Sequence, residues 1–235
     1  MSMDLLKIDK ISKTVTGSIQ ITGSKSETNR LLVLQQFYPN LKIENISNSD
    51  DSRLMQKALA NTSNEINIGH AGTAMRFLTA YFAVKEEGEV ILTGSERMQN
   101  RPIKILVEAL QSIGADIQYV NKVGFPPLLI KGKNLTKNKV KINGNVSSQY
   151  ISALLLIAPS LKNGLEIELV GNVTSVPYLK MTLTLLNDLD IETIWKENFI
   201  QVKPKKHIDN KIITVESDWS SVSYFYSLVA LSENA

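Results

Sequence analysis

Apolar residues recur three and four positions apart in Asn29 to Phe37, Thr73 to Val84, Ile103 to Ile113, Tyr150 to Ala158 and Leu179 to Leu189. That spacing puts an apolar stripe on one side of a helix. Short β-branched stretches, Ser18 to Ile21, Val90 to Thr93, Val140 to Ile142 and Leu165 to Val170, read as strands. Strands and helices alternate, with Gly88, Gly94, Gly132, Gly144 and Gly164 at the joints, so the expected class is mixed α/β.

A repeat underlies the alternation. Ala71 to Met75, Ser147 to Ile151 and Ser220 to Tyr224 each place small residues directly before an apolar helix, and their starts lie 76 and then 73 residues apart. A second landmark keeps nearly the same offset: Arg101-Pro102 leads into Leu106, Leu110 and Gly114 to Ile117, and Val176-Pro177 leads into Met181, Leu185 and Leu189 to Ile191. Two landmarks on one period predict a duplicated unit of about 75 residues. The third copy opens at Asp218 and stops within its first helix, so the chain is expected to be a fragment.

Composition narrows the function without naming it. With 43% apolar and 21% charged residues the chain can bury a core, and its net charge of +3 (26 Lys+Arg against 23 Asp+Glu) is too balanced for nucleic-acid binding by bulk charge. Positive charge that matters must be concentrated at a site. The absence of cysteine excludes disulfides, thiolate metal sites and a cysteine nucleophile, and fits a reducing compartment. Met1 to Ile11 reads as no signal peptide, and no apolar run approaches the roughly 20 residues of a bilayer helix. The expectation is a soluble cytoplasmic protein that binds neither membrane nor nucleic acid.

Candidate chemistry sits in loops before helices. Gly23-Ser24-Lys25-Ser26 with Asn29-Arg30 follows an expected strand and opens a helix. Its free backbone N–H groups, two cations and hydroxyls suit an anion. A capped helix, with Ser26 or Thr28 at the N-cap and two solvated cations, is the competing reading. Gly69 to Arg76 repeats the idea: small residues at 71, 72 and 74, Thr73 able to cap, and Arg76 supplying charge. Gly94 to Arg101 carries Arg97 and Arg101, with Pro102 suited to a first helical turn. Ser147-Ser148-Gln149 offers neutral donors and acceptors, and Ser175 with Tyr178 forms a fifth loop. His70 and His207 are the two histidines, too few for a visible metal cluster, and His70 reads as a hydrogen-bonding loop residue. Met75, Met98 and Met181 read as core fillers, and Trp195 and Trp219 as packing residues.

In this order and at these spacings, the motifs resemble the EPSP synthase (3-phosphoshikimate 1-carboxyvinyltransferase) family from about Gly17 to Tyr224. The resemblance implies that Lys25, Ser26 and Arg30 bind shikimate 3-phosphate, with Lys25 also near phosphoenolpyruvate and a candidate for proton transfer. Gly72 and Arg101 would contact phosphoenolpyruvate. Ser147, Ser148, Gln149, Ser175 and Tyr178 would hold shikimate 3-phosphate, and Thr73 and Ala74 would shape a wall shared with the inhibitor glyphosate. It also implies transfer of the enolpyruvyl group to the 5-hydroxyl with loss of phosphate, needing no metal or organic cofactor.

The implied fold is an inside-out α/β barrel domain of repeated βαβαββ units, with helices inside and sheets outside. Residues 23–215 would be a complete N-terminal domain. Residues 1–22 and 216–235 would belong to a second domain, mostly absent, that supplies the principal acid/base carboxylates and closes over the substrates. The fragment alone would therefore bind substrates without turning them over. Four positions depart from the family pattern, which usually has Asn at His70, Pro at Phe77, Lys at Val176 and an acidic residue at Lys180. The alternatives are a non-catalytic shikimate 3-phosphate binding module and the sister enolpyruvyl transferase acting on UDP-N-acetylglucosamine. That sister family typically has Lys-Asn where Lys25-Ser26 stand and carries a loop Cys that this chain lacks.

Overall fold

The computed structural model describes residues 14–86 and 88–232; the reading of Met1 to Ile11 lies outside them. In chain order the elements are α1 (Lys25–Phe37), β1 (Leu41–Glu44), α2 (Asp50–Ala60), β2 (Glu65–Asn67), α3 (Gly72–Val84), β3 (Glu89–Thr93), α4 (Glu96–Gln99), α5 (Lys104–Ser112), β4 (Asp116–Tyr119) and β5 (Leu128–Lys131). There follow β6 (Lys139–Asn143), α6 (Ser148–Ile157), β7 (Leu165–Val170), α7 (Val176–Asp188), β8 (Thr193–Lys196), β9 (Phe199–Val202), β10 (Lys211–Thr214) and α8 (Trp219–Leu231).

The repeat is real and has one topology. One sheet runs β2-β3-β5-β4 and another β6-β7-β9-β8. In each, the first pair is parallel and the fourth strand in sequence pairs antiparallel with both its neighbours. Each parallel pair is joined by a crossover helix, α3 or α6, and a second helix, α5 or α7, leads to the closing hairpin. That is βαβαββ twice. A third, shorter copy is split across the chain: β10 pairs in parallel with β1, so β10, α1, β1 and α2 repeat the opening of the unit with the first strand supplied from residue 211 onward.

Burial decides which layer is inside. Helices α3 and α6 are apolar almost all round, α3 burying an unbroken run from Ala74 to Ala83 and α6 from Tyr150 to Ile157, and α1, polar in its first turn, buries every residue from Thr28 to Leu34. A helix apolar all round must be enclosed. The strands alternate instead. In β6, Val140 and Ile142 are buried while Lys139, Lys141 and Asn143 are exposed, one face on the core and one in water. Helices therefore lie inside and sheets outside, as the resemblance implied.

Some expectations are corrected. Ser18 to Ile21 forms no strand; an isolated bridge joins Gly23 to Ser217 instead. A strand there would need a partner along its length, and the chain is passing between segments. Trp195 packs against the core, but Trp219 is 71% exposed and α8 buries no residue, so Trp219 is not a packing residue. Met75 and Met98 are core, whereas Met181 is half-buried at the edge of a hollow. Pro102 lies before α5, whose N-cap is Ile103.

Candidate functional site

The three enclosed helices run side by side in one direction. Gln149 Nε2, in the first turn of α6, donates to Thr73 Oγ1 in the first turn of α3 at 3.1 Å. One turn deeper, Arg30 of α1 donates to Ser152 Oγ of α6 at 3.2 Å and lies 5.4 Å from the Phe77 ring centroid of α3. The N-termini of α1, α3 and α6 thus gather at one end, where aligned peptide dipoles favour negative charge. Capping sharpens the point. Ser24 is the N-cap of α1, rather than Ser26 or Thr28, and makes no side-chain cap bond; neither does Ala71 of α3 nor Ser175 of α7. By contrast Ser49, Ser95 and Asp218 cap α2, α4 and α8 with their side chains. An uncapped first turn keeps N–H donors for another acceptor.

The candidate residues fall into two groups at this end. In the first, Lys25, Ser26 and Tyr178 line a hollow of about 370 Å³ with Met181 and, from the returning chain, Glu216 to Ser220. Lys25 Nζ is 3.9 Å from Asp51 Oδ1, with nearly half of the side chain exposed; such a pair is weak and leaves the ammonium available. Tyr178 is 47% exposed. Ser175 holds a left-handed backbone (φ 53°), uncommon for a residue with a Cβ, and its carbonyl accepts the Tyr178 N–H.

Arg30 is placed differently from Lys25. It is 3% exposed, and donates through Nε to Thr182 Oγ1 at 2.7 Å, through Nη1 to the Ser26 carbonyl at 2.6 Å, and through Nη2 to Ser152 Oγ and the Tyr178 carbonyl. Burial is the main cause that brings its guanidinium down to about 10, partly opposed by Tyr178 and Glu27. Arg30 fastens the first turns of α1 and α7 together beneath the hollow.

The second group surrounds Gly72. The Arg101 guanidinium lies over this glycine so closely that a Cβ would collide with Nη1 and stand 3.0 Å from Cζ. Arg76, 5% exposed, braces the arrangement by donating to the Gly72 carbonyl at 2.9 Å and the Pro102 carbonyl at 3.4 Å; Tyr150 Oη donates to the same Pro102 carbonyl at 2.7 Å. Burial lowers the Arg76 guanidinium, and Arg101 beside it lowers it further, the mark of two cations held close. Ser148 is buried as the first residue of α6, and Ser147, its N-cap, accepts the Gln149 N–H at 3.4 Å. His70 is exposed in the turn before Ala71.

The bracing roles of Arg76 and Tyr150 escaped the sequence reading, although Arg76 four residues after Gly72 was a usable sign, since that interval returns a helical side chain to a first-turn carbonyl. Glu27 and Asp51 were not foreseen, and the returning segment 216–220 was read as the start of another repeat rather than as part of the hollow. Glu27, Glu216 and Asp218 give the first hollow three carboxylates against the Lys25 ammonium. Cationic character is stronger around Gly72 and Arg101.

Comparison with known proteins agrees with this geometry. The family model for EPSP synthase (3-phosphoshikimate 1-carboxyvinyltransferase) matches residues 40–235. A 3-phosphoshikimate 1-carboxyvinyltransferase of Bacteroides fragilis is 47% identical over 223 residues, covering 94% of this chain and 54% of that protein. One from Haemophilus influenzae is 37% identical over 260 residues, covering 97% and 60%. The chain thus spans little more than half the length of these relatives. The solved EPSP synthase of Acinetobacter baumannii superposes with a TM-score of 0.72 over 89% of this chain and 52% of that one, at 18% identity, which speaks to the fold alone. With matching βαβαββ units, enclosed parallel helices and a family match across most of its length, this chain belongs to the EPSP synthase family.

Proposed function

We propose that this chain is the substrate-gathering half of a 3-phosphoshikimate 1-carboxyvinyltransferase, with residues 23–215 as one complete domain and the segments on either side belonging to a second. The uncapped first turns of α1 and α3, with Lys25 and Arg101 beside them, carry the reading. Two anionic substrates need fixed cations and free N–H donors, and water-excluded donors aimed at developing charge are the main catalytic resource for such a reaction. Lys25, Ser26, Ser147, Ser148, Gln149, Ser175 and Tyr178 would hold shikimate 3-phosphate. Gly72 and Arg101 would receive phosphoenolpyruvate, with Thr73 shaping the wall beside it. Arg30 would act chiefly by holding Ser26 and Tyr178 in place.

In the reaction the 5-hydroxyl loses its proton and adds to C2 of phosphoenolpyruvate as C3 is protonated; the tetrahedral adduct then expels phosphate as C3 gives up a proton, which restores the carbon–carbon double bond. Lys25 is the candidate here for a proton-transfer role, and the remaining acid/base groups would come from the other half. The names of the relatives favour this acceptor over UDP-N-acetylglucosamine. The lack of cysteine fits a cytoplasmic setting.

The test is phosphate release from both substrates, with this chain alone and with residues equivalent to the rest of a relative supplied separately. Turnover should require both parts, while the chain alone should bind shikimate 3-phosphate by calorimetry. Turnover by the chain alone would overturn the division of labour, and absence of shikimate 3-phosphate binding would overturn the site.

A further inference from the structure

The carboxylate at Glu27 stands in the first turn of α1, two residues from Lys25, in a hollow assigned to an anionic guest. A negative charge there opposes the guest, so its presence calls for a reason. The geometry supplies one. The chain passes this point twice, as segments 22–24 and 216–218, which run antiparallel: Ser24 N donates to the Glu216 carbonyl at 2.7 Å, Asp218 N donates to the Thr22 carbonyl at 3.0 Å, and Gly23 bridges Ser217. The contact is so close that a Cβ on Gly23 would run into the Asn45 carbonyl and come within 2.8 Å of Val215 Cγ1. In this pairing the Glu216 N–H is directed to a side chain, and Glu27 Oε2 accepts it at 3.1 Å.

Immediately beyond Glu216 the chain forms the opposite wall of the hollow. Asp218 caps α8 by accepting Ser220 N–H at 3.1 Å and the Ser221 hydroxyl at 3.0 Å, which fixes Trp219 as the first residue of that helix. Trp219 lines the hollow together with Tyr178 and Met181, yet α8 has no buried residue to anchor it. The position of Trp219 therefore depends on the crossing, and among the described residues the Glu27 contact is the hydrogen bond that ties the crossing to a side chain of α1. We propose that Glu27 is a positioning residue: by accepting the Glu216 backbone N–H it holds the returning segment, and with it Asp218 and Trp219, as the far wall of the substrate hollow above Lys25 and Ser26. The inference rests on the preceding assignment of this hollow to shikimate 3-phosphate, but the wall itself can be tested without a ligand.

Two variants separate acceptor from charge. Glu27→Ala removes the acceptor; Glu27→Gln keeps an amide oxygen that can take the same N–H while removing the negative charge. Amide hydrogen exchange by NMR on the 235-residue chain should show Glu216, Asp218 and Ser220 exchanging at least about tenfold faster in Glu27→Ala, the loss of a hydrogen bond worth about 1.5 kcal/mol or more. Glu27→Gln should stay within about threefold of the wild type. By calorimetry with shikimate 3-phosphate, at a temperature where both chains are fully folded, Glu27→Ala should bind at least about fivefold more weakly. Glu27→Gln should bind as well as the wild type or better. Unchanged exchange at Glu216 to Ser220 in Glu27→Ala, or failure of Gln to restore it, overturns the proposal. If the exchange pattern appears as expected but the wild-type chain takes up no shikimate 3-phosphate, the positioning role stands and the substrate assignment falls.

Discussion

At Gly72 a hydrogen in place of a methyl group lets the Arg101 guanidinium rest on the helix backbone. The atoms a Cβ would meet are the far end of an exposed side chain, which can swing away at little cost. Gly72→Ala should therefore leave the fold intact, and by improving helix propensity should stabilise it by up to about 1 kcal/mol. Arg101 would then be displaced, so phosphoenolpyruvate affinity of the reconstituted enzyme should fall about tenfold or more, the cost of a charge-assisted contact. Thermal melting and calorimetry on the same sample would separate the two effects; a loss of stability with intact affinity would contradict this account. Glu27 gives a prediction of opposite character. Burial raises its carboxyl above the ordinary 4.5, with Glu216 and Asp188 adding to the rise and the Glu216 N–H and Arg30 opposing it. In the window above 4.5 the folded state holds this proton more tightly than the unfolded chain, so the Glu27 contribution to stability falls as pH rises. Glu27→Gln should accordingly gain on the wild type between about pH 4.5 and 7 in urea midpoints, and equal midpoints at both ends would refute it.

At the scale of elements, Arg30 and Lys25 look alike in sequence and differ in what depends on them. Arg30 ties α1 to α6 and α7 through three hydrogen bonds inside the core, and a fourth returns to the Ser26 carbonyl of α1 itself. Its removal takes these bonds and a buried side chain from the core, although the Thr182 hydroxyl still donates to Ser152 Oγ or the Tyr178 carbonyl, and Arg30→Ala should lower stability by about 2–4 kcal/mol. Lys25→Ala, at a half-exposed position with a long ion pair, should change stability by less than about 0.5 kcal/mol while weakening shikimate 3-phosphate binding at least about tenfold. Urea denaturation beside calorimetry distinguishes them, and equal destabilisation by both would remove the distinction. The difference was illegible in the sequence, where both are cations flanking a small-residue turn. What was legible were the elements with strong periodicity: α3, α5, α6 and α7 lie where the apolar spacing puts them, and the offset between α3 and α6 declared the repeat. The strands β1, β2, β4, β5, β8, β9 and β10 are each three or four residues long and half exposed, too short for alternation to stand out. The split third unit was hidden for a different reason. Its strands β10 and β1 pair across 170 residues, Leu41 with Lys211, and no local pattern reveals so distant a partner.

Across the whole molecule, the core and α8 obey different rules. One continuous cluster of buried apolar side chains runs from Leu31 to Val215, and none of its members comes from α8. Along α8, Trp219, Tyr224, Tyr226, Leu228 and Leu231 are each more than half exposed. A contiguous apolar surface of this kind drives association, while contributing nothing to the stability of the core beneath it. A chain ended after Asp218 should therefore unfold within about 0.5 kcal/mol of the intact chain, the range of surface changes away from any packed feature. It should sediment as a monomer at concentrations where the intact chain shows concentration-dependent self-association. Paired substitution Tyr224→Lys with Leu228→Glu should abolish that association without shortening the chain, because both side chains lie in water. If ending the chain after Asp218 instead lowers stability by several kcal/mol, α8 is an integral part of the folded unit. The boundary near Val215 would then have to be redrawn.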